Sequence, residues 1–124
     1  DSVRPILDAG RAEWADEGFE VVPGMILRCR PGHTPGSMSL HMASDGEKAM
    51  FVGDIVHHPA QVYRPDWNSI FCEDQDQARE TRRTLLDEAA REEALLIPAH
   101  FAGSHAARVV RDGKGFRPVL TGLL

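Results

Sequence analysis

Pro31-Gly32-His33-Thr34-Pro35-Gly36 decides how the rest of the chain is read. Proline fixes φ and lacks a donor, while glycine allows angles that other residues avoid. Two of each around one histidine exclude a helix or an unbroken ladder, so the segment is a stiff loop carrying an imidazole. Met25-Ile26-Leu27-Arg28-Cys29 leads into it and reads as a strand. Ser37 to Ala43 leaves it in alternation, with Met38, Leu40 and Met42 on one face and Ser37, Ser39 and His41 on the other. A histidine between turn residues can simply make the turn. The same arrangement occurs twice more downstream, and that recurrence gives it weight.

Ser44-Asp45-Gly46-Glu47 predicts a hairpin connection. Ala49-Met50-Phe51-Val52 is apolar throughout, which predicts a central strand buried on both faces, and it ends at Gly53-Asp54. Residues 55 to 72 break the pattern with prolines and scattered aromatics (Tyr63, Trp67, Phe71), so a long ordered loop is expected there. Trp67 is expected in the core. Asp74 and Gln77 have capping-box spacing and open an amphipathic helix to about Glu93. Arg79, Arg82, Arg83 and Arg91 lie among acids on that helix and read as a solvated face. Ala94-Leu95-Leu96-Ile97 predicts another buried strand, ending at Pro98-Ala99-His100. Upstream, Val3 to Glu17 predicts a helix, Phe19 to Val22 a short extended segment and Pro23-Gly24 a turn. A terminal hairpin is expected around Asp112-Gly113-Lys114-Gly115. The order makes an α/β chain, a mixed sheet with flanking helices.

The chain has 124 residues, enough for one core, and 42% of them are hydrophobic. A net charge of −5 argues against nucleic acid or an anionic membrane as the main partner. The apolar runs are only a few residues long, so no membrane span is expected. Cys29 and Cys72 have no metal or redox spacing; free thiols in a reducing cytoplasm are the plain reading, with a disulfide left open.

Each of three apolar strands delivers one nitrogen or oxygen donor just past its carboxyl end: His33, Asp54 and His100. In layered α/β sheets, ligands collect outside strand ends. Separately, Asp54 could close a turn and His100 could be a buried, hydrogen-bonded imidazole. Together, two imidazoles and a carboxylate suit zinc or a similar divalent ion.

Gly32-His33-Thr34-Pro35-Gly36, the alternating strand after it, Phe51-Val52-Gly53-Asp54 and Pro98-Ala99-His100-Phe101 together resemble the carboxyl half of the metallo-β-lactamase superfamily, from about Val22 to Leu120. The loop His57-His58-Pro59-Ala60-Gln61 is more similar to the lactonase and organophosphate-hydrolase branch. The resemblance implies half of an αββα sandwich. It implies two zinc ions in the complete enzyme, with His33 on the first, Asp54 bridging both as the catalytic carboxylate and His100 on the second. It also implies attack by a metal-bridging hydroxide on an ester, lactone or phosphoester. His57, His58 and Phe101 would then contact a small-molecule substrate, and Thr34 and Ser37 would orient the His33 ring.

The family signature His-x-His-x-Asp-His is absent from the chain, which begins Asp1-Ser2-Val3 without an initiator Met. The expectation is a single domain over 1–124 that forms the carboxyl-terminal part of a longer enzyme. With the amino half missing, one sheet face lacks its cover, so a homo-oligomer is expected. The competing reading is a non-catalytic oligomeric half-domain without a complete metal site. A two-His, one-carboxylate iron oxygenase uses the same residue types, but the loop around His33 and the strand pattern do not suit it.

Overall fold

The computed structural model describes residues 2–103 and 105–120. Its elements, in chain order, are α1 (Arg4–Asp8), β1 (Glu20–Val22), β2 (Met25–Cys29), β3 (Met38–Ser44), β4 (Glu47–Gly53), α2 (Ala60–Tyr63), α3 (Gln75–Glu92), β5 (Leu95–Pro98), β6 (Ala107–Asp112) and β7 (Gly115–Leu120). Among the described residues, the strands form one seven-stranded sheet in sequential order. Neighbours pair antiparallel except β4 and β5, which run parallel across the α3 crossover. Strands β2, β4 and β5 therefore point the same way, and the chain leaves all three at one edge of the sheet. The α/β class, with a mixed sheet and flanking helices, is what the strand and helix signals predicted.

Helix α3 covers one face. Leu85, Leu86 and Ala89 pack with Met50, Val52, Leu96, Ala107 and Val109 into a core that is almost wholly sealed from water. Its first turn is capped by Asp74, whose side chain accepts from the Gln77 N–H at 2.9 Å. The reciprocal half of a capping box is missing, because Gln77 Nε2 donates onward to Thr81 Oγ1. At the other end Glu93 is left-handed, at φ 54°.

The opposite face is open. Leu27, Leu40, Phe51 and Ile97 are cross-strand neighbours in one row, and Phe51 is 40% exposed. Strand β4 is thus central by position but not buried on both faces as expected: α3 covers only the Met50 and Val52 side. The expected helix from Val3 to Glu17 is also shorter. It stops at Asp8, Gly10 takes φ +63°, and no residue of α1 is buried. An amphipathic pattern with nothing to pack against does not sustain a helix of that length.

Beneath α3 the sheet is locally polar. Ser39 is fully buried. Its hydroxyl accepts from Arg30 Nε at 3.2 Å and lies 2.9 Å from His41 Nε2. Arg30 in turn pairs with Glu88 of α3, and His41 Nδ1 lies 3.8 Å from the same carboxylate. Burial pushes the His41 pKa down and Arg30 adds to this, while Glu88 opposes it. A folded pKa below the unfolded one means that the unfolded chain binds more protons in between. Stability from this group is therefore complete above about 6.5 and declines as pH falls below it. Thermal melts across that range should show a loss on acidification that His41→Gln makes shallower; an unchanged slope would remove His41 from the account.

Candidate metal centre

His33 is placed by its backbone. Three successive carbonyls, of Pro31, Gly32 and His33, accept from the start of α3: Thr81 Oγ1 at 2.6 Å, the Asp74 N–H at 3.0 Å and the Glu73 N–H at 3.0 Å. Gly32 has φ +135°, and a Cβ there would lie 2.5 Å from the backbone of Ala78. No other residue fits between loop and helix.

Asp54 and His100 are placed by the parallel pair. The ladder ends at Gly53 opposite Pro98, and the Ala99 N–H donates to the Gly53 carbonyl at 3.2 Å. Asp54, one residue past Gly53, and His100, two past Pro98, are then brought into contact. His100 Nε2 lies 2.7 Å from Asp54 Oδ1, and His33 Nε2 lies 3.4 Å from Asp54 Oδ2. Each carboxylate oxygen thus faces a different imidazole. The His100 approach lacks hydrogen-bond alignment, so Asp54 Oδ1 has no hydrogen-bond partner among the described residues.

His57 joins them. Its ring meets the His33 ring edge-on at 5.0 Å between centroids and stacks on the His100 ring at 5.9 Å, 4° from parallel. Burial holds its pKa below the usual range, Asp54 opposes, and His33, His100 and Arg82 reinforce. Its Nδ1 is sealed from solvent and has no hydrogen-bond partner among the described residues. Donor atoms of His33, Asp54 and His57 all lie within 4.8 Å of one another. Converging nitrogens and a carboxylate, with two buried polar atoms unmatched by protein donors, fit a divalent cation.

The remaining candidates sit differently. His58 is exposed; its Nδ1 accepts from the Ala60 N–H at 3.1 Å, which ties it to the start of α2. Phe101 is 2% exposed and belongs to the core cluster. Trp67, expected in the core, is 60% exposed, because its loop is held by main-chain contacts and not by its indole. Thr34 and Ser37 bond one another, hydroxyl to hydroxyl at 2.9 Å, and close the loop. The side chain found against His33 Nδ1 is Cys72, at 3.8 Å. Cys29 and Cys72 are both free.

Two groups behind the site escaped the sequence. Arg82 is fully buried, not solvated. It donates to the carbonyls of Ile55 at 2.9 Å, Pro65 at 2.7 Å and Trp67 at 3.1 Å, and to Asn68 Oδ1 at 2.9 Å. Burial lowers its pKa, with Cys72 opposing, and a guanidinium remains charged in any such site. Gln61 Oε1 accepts from the His57 N–H at 2.7 Å, and its Nε2 donates to the Trp67 carbonyl at 2.8 Å. The only available sequence signal was their location. Arg82 lies three and four residues before Leu85 and Leu86, on the core side of the helix, and Gln61 lies in the stretch expected to be loop throughout, where the structure winds the short helix α2.

The family model described as "Metallo-beta-lactamase superfamily" matches residues 6–100, and the chain belongs to that superfamily. No curated protein matches it significantly. Solved structures share its fold. AidC, described as a dizinc quorum-quenching lactonase in complex with a product, aligns with 99% of this chain and 43% of its own, at TM-score 0.86 and 24% identity. A hydrolase of the beta lactamase superfamily, AbOPH, aligns with 98% of this chain and 42% of its own, at TM-score 0.84 and 24% identity. A probable metal-dependent hydrolase from Staphylococcus aureus aligns with 94% and 42%, at TM-score 0.78 and 21% identity. The chain spans less than half the length of each of these neighbours.

Gly32→Ala should destabilise the chain by about 3 kcal/mol, through the clash with α3 and an unfavourable φ. Gly36→Ala meets nothing within 4 Å and should be close to neutral. Urea denaturation of both variants checks this; equal midpoints would show that the loop does not bear on the helix.

Proposed function

We propose that this chain is the carboxyl-terminal part of a metal-dependent hydrolase that cleaves a lactone, ester or phosphoester, with zinc as the metal and two ions in the complete domain. One observation carries the reading: the two oxygens of Asp54 face His33 and His100 separately, an arrangement that lets one carboxylate serve two ions. The dizinc lactonase named among the structural neighbours puts lactones first. Bound zinc would acidify water and polarise the carbonyl or phosphoryl oxygen under attack. The chain's own groups hold and orient. His33 and His100 would each take one ion and Asp54 both. His57, with its backbone fixed by Gln61, and His58 would stand beside the substrate, while Thr34 and Ser37 shape the His33 loop. Phe101 would support this wall from the core.

No described helix is long and apolar enough to cross a membrane, and the two free cysteines suit a reducing cytoplasm, where we place the protein. In the protein carrying the whole domain, zinc-dependent turnover of an N-acyl homoserine lactone or an aryl ester is expected. His33→Ala or Asp54→Ala should cut it by more than about 100-fold, beyond what loss of an outer contact costs. Metal-independent turnover, or none with any of the three ester classes, would reject the reading.

The open face of the sheet favours association of the isolated chain, since a contiguous apolar row on a small domain invites cover. We propose that a second copy supplies it. Light scattering of the 124-residue chain should give at least a dimer, and Phe51→Lys, at the middle of the row, should return it to monomer. A wild-type chain that stays monomeric at high concentration would exclude the dimer.

A further inference from the structure

We propose that the chain binds one divalent transition-metal ion on its own, through His33, Asp54 and His57, with His57 a ligand and not only a neighbour of the substrate. This rests on reading the site as a metal centre, and it concerns a donor that the three strand ends do not supply.

The distances separate the donors. Zinc or cobalt bonded to nitrogen and oxygen at about 2.0–2.1 Å in a tetrahedron sets its ligand atoms roughly 3.3–3.4 Å apart. His33 Nε2 and Asp54 Oδ2 are 3.4 Å apart, which matches that edge. His100 Nε2 lies 2.7 Å from Asp54 Oδ1, the carboxylate oxygen that does not face His33, so it stands off the His33–Asp54 edge. The third donor within reach of the His33–Asp54 edge is His57.

Three further observations point to His57. Its Nδ1 is buried and faces no hydrogen-bond partner among the described residues, as does Asp54 Oδ1 beside it. A buried ring nitrogen that no described protein group satisfies is open to a cation. The backbone that carries the ring is also fixed. Gln61 is 6% exposed and accepts from the His57 N–H, and Arg82 anchors the Ile55 carbonyl two residues earlier. The His33 ring is held from its far side, with Cys72 Sγ at 3.8 Å from Nδ1, and this leaves Nε2 toward Asp54. Two imidazoles and one carboxylate then leave a fourth position for water, and the donor set selects zinc, cobalt or nickel over magnesium or calcium.

Titration of the metal-free chain with Co(II), followed by its visible absorption, tests the assignment. One equivalent per chain is expected, with the intense bands of a four-coordinate ion. His57→Ala and His57→Gln should each weaken binding at least tenfold, as His33→Ala does, and His58→Ala should leave it unchanged. Circular dichroism confirms that the variants are folded. In the zinc-bound chain, the ring nitrogens of His57 should shift in 15N NMR spectra. If His33→Ala and Asp54→Ala weaken binding while both His57 variants bind as wild type, His57 is not a ligand and the hydrolase reading stands. If the chain takes up no ion, the one-ion site is wrong, and turnover by the whole domain decides the hydrolase reading separately.

Discussion

The structure depends on the attachment of three consecutive carbonyls, Pro31 to His33, to the first turns of α3. A loop of prolines and glycines is stiff in itself, but stiffness does not aim a side chain. Aim comes from the start of the helix: the N–H groups of Glu73 and Asp74 just before it and the Thr81 hydroxyl within it hold that loop, and the helix packs closely enough to exclude a Cβ at Gly32. The helix in turn is fixed by its buried face on the sheet. Core packing and the position of the His33 ring are therefore one problem, and a change that tilts α3 moves the imidazole.

A second attachment works from behind. Arg82 extends from the same helix into the 55–72 loop and satisfies carbonyls that no strand or helix would otherwise take up. Outside the single turn of α2 this stretch has no regular structure, and its backbone polar groups must still find partners. Here one buried guanidinium supplies them, and Gln61 completes the job at His57. The cost of burying that charge is offset by four hydrogen bonds, and truncating it would orphan several buried acceptors together.

Much of this was legible in the residues. The strands around 25–29, 38–44, 49–52 and 95–97, the Asp-Gly turn, the Asp74 cap and the convergence of His33, Asp54 and His100 follow from local pattern, because period-2 alternation and turn chemistry act over a few positions. The family likeness carried by Gly32 to Gly36 was also legible and agrees with the matched residues. Arg82 was misread, because a charged residue among charged residues carries no local mark of burial; only the distant loop that needs its donors explains it. The same holds for Cys72, which stands 39 positions from His33 and lies against it. Phe51 and the segment after Asp8 failed for the opposite reason. Their sequences are apolar enough for burial, and the described residues offer nothing to bury them against.

The two ends of the sheet differ in kind. At the end away from the metal centre, β1 passes to β2, β3 to β4, α3 to β5 and β6 to β7 through only two residues each. Every connection at the other end is longer. The three hairpin links among them set the register of the strands they join, and a one-residue slip there would turn inward side chains outward. Loops at the near end carry no such penalty. Descendants of this chain can therefore gain or lose whole segments around the histidines while the sheet beneath keeps its pairing, and new chemistry would arise by grafting at that rim.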